Sequence, residues 1–553
     1  MCRSIVAGAV IFAASASAQA ADSLHVLIDR LVALETADYE KLAAPVCSDE
    51  EFLRRVTLDL AGSIPTTAEA RQFLTDADPA KREKLVDKLL AGPEYARQMQ
   101  RVFDVMLMRR LPQKHVPVAE WEKFLREAFA QNKSWDQMVR EILTADGSDP
   151  ANRGPARFYL DRDGDVNEIT RDIGKLFLGA NLECAQCHNH PQIDDFKQHH
   201  FYGISAFFVR SFVMTDKEKR VVFAEKADGE ATFESVFEIR DKVSKGPQST
   251  GPRLFEAMPI SEPKFEKIDD AYAVKPDEKD KTVRPVPRFS RRAKLAEFIA
   301  SADNRRFCRT TANRLWALMM GRGIVHPVEL DHSENPPSQP LLLAMLTEEL
   351  ALRQLDVKQF LREIALSKTY QRSSRREAID PNQPQPKDAD FAQALLRPLS
   401  PSQFAWALMQ AVGETDVHRQ ALGDKCSEAS LHEKLAGYEQ RFVQLFGGEP
   451  GHPSDNFEST TAQALFLAND AAIAAFLKPR NGNLADRLLK LPESDTQQIA
   501  EELFISTLTR RPTDDDVRDV GGYLAGQTGP GRIVAVQELI WAAVSSSEFR
   551  FNH

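Results

Sequence analysis

Apolar residues along this chain recur at helical spacing over two long stretches, separated by a region where that period is lost. In REKLVDKLLAGPEY, the residues Leu85, Val86, Leu89 and Leu90 share one face, which predicts an amphipathic helix, and Gly92-Pro93 ends it. The next helix carries Tyr95, Met99, Val102, Phe103 and Met106 inward, a Met and aromatic stripe that reads as core. Further helices are expected over 121–130 and 135–143. The run EITRDIGKLFLGANLE places Ile169, Ile173, Leu176 and Phe177 on one side of another. Between 211 and 288 the texture changes. RVVFAEKADGEATFESVFEI holds two β-prone runs around Asp228-Gly229, a hairpin signal, and KPDEKDKTVRPVPRF reads as a charged, proline-rich linker. Helical periodicity then returns in DVKQFLREIALSKTY, with Val357, Phe360, Leu361 and Ile364 on one face, and in RIVAVQELIWAAV near the end. REAIDPNQPQPKDAD reads as an exposed loop. The pattern predicts a mainly α chain: helical domains at 21–210 and 289–553, with a small β-containing insertion at 211–288.

Length agrees with more than one domain, since 553 residues exceed one ordinary core. The formal net charge of -10 argues against a general nucleic-acid binder, which needs a basic face. The opening MCRSIVAGAVIFAASASAQA reads as a secretory signal. Arg3 precedes an apolar run from Ile5 to Ala14, and Ala18-Gln19-Ala20 is a small-x-small cleavage site. The run is shorter than the roughly 20 apolar residues that span a bilayer, so an exported chain, periplasmic or extracellular, without an integral membrane segment is expected.

Cysteines and histidines crowd one segment, NLECAQCHNHPQIDDF, where Cys184, Cys187 and His188 stand in the order C-x-x-C-H and His190 follows. Two thiols three residues apart reach the two vinyl groups of one haem. The adjacent imidazole then falls under the iron, so His188 would be the axial ligand. Export agrees with this, because c-type haem is attached outside the cytoplasm. Three other readings stay open. One is a zinc-like transition-metal site drawn from Cys184, Cys187, His188, His190, His199 and His200. Another is a redox or structural Cys184–Cys187 disulfide. The last is coincidence. For haem, His199, His200 and Met214 are candidates for the opposite face, with Met99, Met106 and Met108 more remote. An odd set of Cys47, Cys184, Cys187, Cys308 and Cys426 follows signal removal. Haem attachment would leave Cys47, Cys308 and Cys426, enough for one disulfide and one buried thiol.

Other motifs carry less. DRDGDVNE resembles a calcium loop, but Gly164 falls at its fourth position and Asp172 at its twelfth, so a helix N-cap is the better reading. Gly321-Arg322-Gly323 reads as a helix C-cap and turn.

With these residues in view, the chain resembles exported planctomycete cytochrome-C-like proteins, which pair two domains of unknown function. The first domain's pattern matches FLRRVTLDLAGSIPT, KLVDKLLAGPEYA and FLGANLECAQCHNHP. The second matches RRAKLAEFIASADNRRFCRTTANRLWALMMGRGIV, LREIALSKTYQRSS, STTAQALFLAND and SSSEFRFNH. The resemblance implies haem c at Cys184, Cys187 and His188, with His190 and Pro191 carried along. The C-x-x-C-H run behind a signal predicts electron transfer or an oxidoreductase reaction with a redox partner protein, while the resemblance implies a link to extracellular polysaccharide breakdown. Asn313, Arg314 and Trp316, with Thr460, Gln463 and Asn469, look like family signatures. Polar groups inside helices need partners, so they predict either a domain-interface network or a substrate-facing site.

Overall fold

The computed structural model describes residues 23–235, 246–375, 385–448 and 460–553. The expected signal at 1–20, and the part of the REAIDPNQPQPKDAD loop from 376 to 384, lie outside the described residues. The rest is mainly α with small two-stranded sheets. Helices Lys81–Ala91 and Pro93–Met108 meet at Gly92, with Pro93 opening the second, where its missing N–H costs nothing. Tyr95, Met99 and Phe103 are fully buried as the periodicity predicts. Phe103 packs against Phe129 and Trp135 at 4.7 and 5.0 Å between ring centres. These partners sit on helices Val118–Ala130 and Trp135–Thr144. Helices Val357–Leu366 and Gly529–Ser545 form where expected. Gly321 ends helix Arg305–Met320 in a left-handed conformation.

Three of the two-stranded ladders fall in the expected insertion. Strand β1 (Ser211–Thr215) pairs with β2 (Val221–Glu225), and β3 (Ala231–Phe233) with β4 (Gln248–Thr250). Strand β5 (Tyr272–Val274) pairs with β6 (Val286–Pro287). The hairpin expected around Asp228-Gly229 is therefore displaced. β2 turns back on β1, because the preceding Asp216 closes a tighter turn. Its backbone N–H donates to the Arg220 carbonyl at 2.9 Å, and its carboxylate accepts from Arg220 N and Nε at 2.8 Å each. Asp228-Gly229 instead links the two ladders, and the Gly229 carbonyl accepts from Arg210 and Arg291.

The apolar interior falls into two clusters. The first runs from Leu24 to Phe223 and resumes from Leu295 to Ala392, so residues on both sides of the insertion share it. The second gathers Phe404 to Phe549 together with Leu58 and Ile64. Helix Asp49–Ala61 sits between the two and turns its polar side chains on distant segments. Arg54 donates to the carbonyls of Thr507 and Phe549, at 3.3 and 2.8 Å. Arg55 donates to those of Tyr370 and Arg372, at 2.7 and 2.9 Å. A last ladder joins β7 (Arg397–Pro398) to β8 (Phe551–Asn552).

Several of the signature polar residues find backbone partners, while among the described residues the buried Trp316 Nε1 has none. Asn313 exchanges two hydrogen bonds with Val325, at 2.9 and 3.0 Å. Arg314 donates to the Lys175 carbonyl at 2.7 Å. Thr460 caps helix Thr461–Asn469 with Gln463 in a capping box.

Candidate cofactor site and the adjoining histidine pair

The C-x-x-C-H segment is delivered by helix Val166–Leu178. Asp165 caps its first turn, accepting from Asn167 and Glu168 backbone N–H groups, which is the N-cap role read from DRDGDVNE. Gly179 stops the helix at a φ of 61°, a conformation cheap for glycine alone. The chain is then fastened to the C-terminal half. Ala180 bridges Leu330, and Asp331 N–H donates to the Gly179 carbonyl at 2.9 Å.

Cys184–Gln186 form one turn of 3-10 helix, with the backbone N–H groups of Cys187 and His188 both donating to the Cys184 carbonyl at 3.2 Å. Ala185 points inward and is fully buried. Cys184 is half-buried and Cys187 exposed, and both are free thiols. Side chains of the preceding helix hold the turn: Arg171 donates to Gln186 Oε1 and Lys175 to Glu183, each at 2.6 Å. Tyr202 Oη donates to the Gln186 carbonyl at 3.1 Å, and its ring stacks on Phe233 at 4.4 Å. Burial, and the neighbouring Cys187 sulfur, push the Tyr202 phenol up from its ordinary value.

The histidines diverge. His188 Nδ1 lies 2.7 Å from the Asn189 carbonyl; an acceptor there puts the proton on Nδ1 and the lone pair on Nε2. His190 does the reverse, its Nδ1 accepting from the backbone N–H groups of Gln192 and Ile193 at 3.2 and 3.0 Å. Burial, with His332 and His188 nearby, lowers the pKa of His190.

His332 comes from the C-terminal half, and no local sequence pattern marks it. Its ring lies 5.6 Å from Phe196, which also meets His190 at 6.4 Å. Among the described residues its buried Nδ1 has no hydrogen-bond partner, and Asp195 accepts from Ser333 N and Oγ alongside. A cleft of about 530 Å³ opens there, lined by Asp195, Arg306, Arg309, Asp331 and His332 among others. It is ionic: Arg309 grips Asp331 with two bonds at 2.7 and 3.0 Å. None of Cys184, Cys187 and His188 lines it.

The donor set fits covalent haem attachment. Two thiols one turn apart are unpaired and at least one is open to solvent, while the next residue is an imidazole whose Nε2 bears a lone pair. The neighbouring apolar surface is the Tyr202–Phe233 stack, not the ionic cleft. Of the remote sulfur ligands, Met99 and Met108 are fully buried, and Met108 Sδ accepts from Arg162 at 3.4 Å.

His199 and His200 belong to a different neighbourhood, on helix Gln198–Ser205. His200 is buried; its Nδ1 accepts from Lys197 N–H at 3.2 Å and its Nε2 meets Glu256 Oε1 at 2.8 Å. The His199 ring lies 4.2 Å from that of His200, with its Nε2 3.9 Å from the same carboxylate oxygen. Burial, then His200 and Arg253, push His199 down to about 4, and burial lowers His200 despite Glu256. Glu256 sits in a turn closed by Ala257 N–H on the Leu254 carbonyl, and Arg253 N–H ties that turn to the Gly203 carbonyl at 3.0 Å. A Cβ at Gly203 would lie 2.8 Å from Arg253 Cγ and 3.0 Å from its carbonyl oxygen. Only glycine admits this approach.

The six residues of the transition-metal reading thus separate. Among the described residues, the group whose ligand atoms lie within 4.8 Å of one another is His199, His200 and Glu256. Cys184, Cys187, His188 and His190 stand outside it. Cys47 and Cys308 are buried thiols and Cys426 is half-buried; all three are unpaired. Burial raises Cys308 to about 11. No helix among the described residues is long and apolar enough to cross a membrane.

Comparison with known proteins adds domain identity. Residues 27–212 match the family model PSCyt2, described as a protein of unknown function (DUF1549). Residues 291–441 match PSD1, described as a protein of unknown function (DUF1553). No curated protein and no solved structure matches the chain. Arg55 of the first module donates to the carbonyls of Tyr370 and Arg372 in the second, so helix Asp49–Ala61 joins two recognised modules, and the chain carries the paired DUF1549 and DUF1553 domains in N- and C-terminal order.

Proposed function

We propose that this chain is an exported c-type haem protein of the planctomycete cytochrome-C-like kind, serving electron transfer or an oxidoreductase reaction with a redox partner protein. The observation that carries the reading is the turn at Cys184–Gln186: free thiols at Cys184 and Cys187, the latter exposed, followed at once by the His188 imidazole. Cys184 and Cys187 would hold the group by adding their S–H bonds across its two vinyl groups. His188 would hold the iron through Nε2, with the Asn189 carbonyl holding Nδ1–H and fixing the ring. Bound haem supplies a one-electron couple at its iron. Arg171 and Lys175 keep the turn in register on the helix beneath. The exposed Cys187 side supports contact with a partner protein, because transfer needs a short path to the surface.

The test is expression with the haem-maturation machinery, followed by a pyridine haemochrome spectrum and haem staining after denaturing electrophoresis. A stained band is expected. Colourless protein whose Cys184 and Cys187 both react as free thiols overturns the proposal.

A further inference from the structure

We propose that His199, His200 and Glu256 form a second site, for a transition-metal dication of the zinc class, separate from the Cys184–His188 turn. It stands whether or not that turn carries haem.

Three ligand atoms within 4.8 Å of one another suit a single ion. Two imidazoles and one carboxylate favour zinc-class ions over calcium or magnesium, which take oxygen ligands. Three protein ligands leave one position of a tetrahedron for water or a small ligand.

Two further observations separate this group from an ordinary ion pair. Among the described residues the His199 ring makes no hydrogen bond; its Nε2 lies 3.9 Å from the Glu256 carboxylate. A half-buried imidazole beside another imidazole and a carboxylate is the arrangement an ion would satisfy. Moreover, Glu256 is placed by backbone: the Gly203–Arg253 hydrogen bond and the close approach at Gly203 fix its turn on the helix that carries both histidines. The Glu256 side chain is 74% exposed, so burial did not put it there. Lys197 and Arg253 lie close to His199 and oppose a cation. Glu256 supplies the compensating charge.

The experiment uses the full chain made without haem-maturation machinery and carrying Cys184→Ser and Cys187→Ser, titrated with zinc against a chromogenic chelator. One equivalent of zinc is expected to bind. Glu256→Gln and His199→Ala, both at accessible positions, should each weaken binding at least about tenfold, the lower bound for losing even an outer partner of a metal site. Cobalt bound to the wild-type chain should show no thiolate charge-transfer band. Absence of zinc binding in the serine variant, or unchanged affinity in Glu256→Gln, overturns the proposal, as does a thiolate band lost in Cys187→Ser and kept in His199→Ala.

Discussion

Asp59 and Arg397 meet in a buried ion pair: one Nη2 of Arg397 lies 2.8 and 2.7 Å from the two carboxylate oxygens of Asp59. The same carboxylate accepts from Tyr370 Oη and from Asn552 Nδ2, at 2.8 Å each. Three segments converge on one aspartate whose side chain is 4% exposed. Removing one partner of such a pair strands the other charge, at a cost of about 3–5 kcal/mol. Asp59→Ala should lower the urea midpoint accordingly. Asp163→Ala, which breaks the exposed pair with Lys114, should cost about 0–1 kcal/mol. Equal midpoints for the two variants would contradict this account.

Acid should weaken the fold in a defined window. Burial, reinforced by the Arg54 guanidinium, pushes His553 down to about 4, whereas an unfolded histidine titrates near about 6.5. Between those values the unfolded chain binds the proton first, so stability falls as pH drops from about 6.5 toward 4 and is level above. His553→Gln should lose less stability than wild type across that window in denaturant titrations. Parallel losses would show that His553 does not carry the effect.

The cysteines separate attachment from stability. In chain made without haem, Cys187→Ser should change unfolding free energy by no more than about 0.5 kcal/mol, because the residue is exposed. Made with the maturation machinery, the Cys184→Ser/Cys187→Ser double variant should lose the covalent haem stain, while His188→Met keeps the stain and alters the visible spectrum. A stain surviving in the double variant would place attachment elsewhere.

Gly203 tests the docking of the turn that bears Glu256. Gly203→Ala brings a Cβ to 2.8 Å from Arg253 Cγ and 3.0 Å from its carbonyl oxygen, so the turn must shift. Overpacking of this kind costs about 1–3 kcal/mol. Zinc affinity should fall with it, whereas Gly522→Ala, which meets nothing within 4 Å, should leave affinity unchanged. Retention of full affinity in Gly203→Ala would mean that the turn is not held by that contact.

Much of this was readable from local pattern. Apolar spacing located helices Lys81–Ala91 and Val357–Leu366, because each buries one face and is bounded by residues that end helices. The C-x-x-C-H turn was visible for the same reason: its chemistry is contiguous. The hairpin at Asp228-Gly229 misled because Asp216 and Arg220 make a competing turn whose strength lies in side-chain bonds to backbone. Glu256 and His332 were invisible. Each reaches its histidine neighbours through a long-range fold contact, and a carboxylate in a proline-rich loop carries no periodic signal. Arg54, Arg55 and Asp59 stood in plain view in FLRRVTLDLAGSIPT, yet only the fold supplies the distant carbonyls and side chains they bind.

Helix Asp49–Ala61 has a bearing on how such a gene can change. Its arginines and aspartate are matched to carbonyls and side chains encoded more than three hundred residues downstream. A change that separates the halves strands Arg54, Arg55 and Asp59 in one and Arg397 in the other, so a workable cut has to replace these residues at the same time.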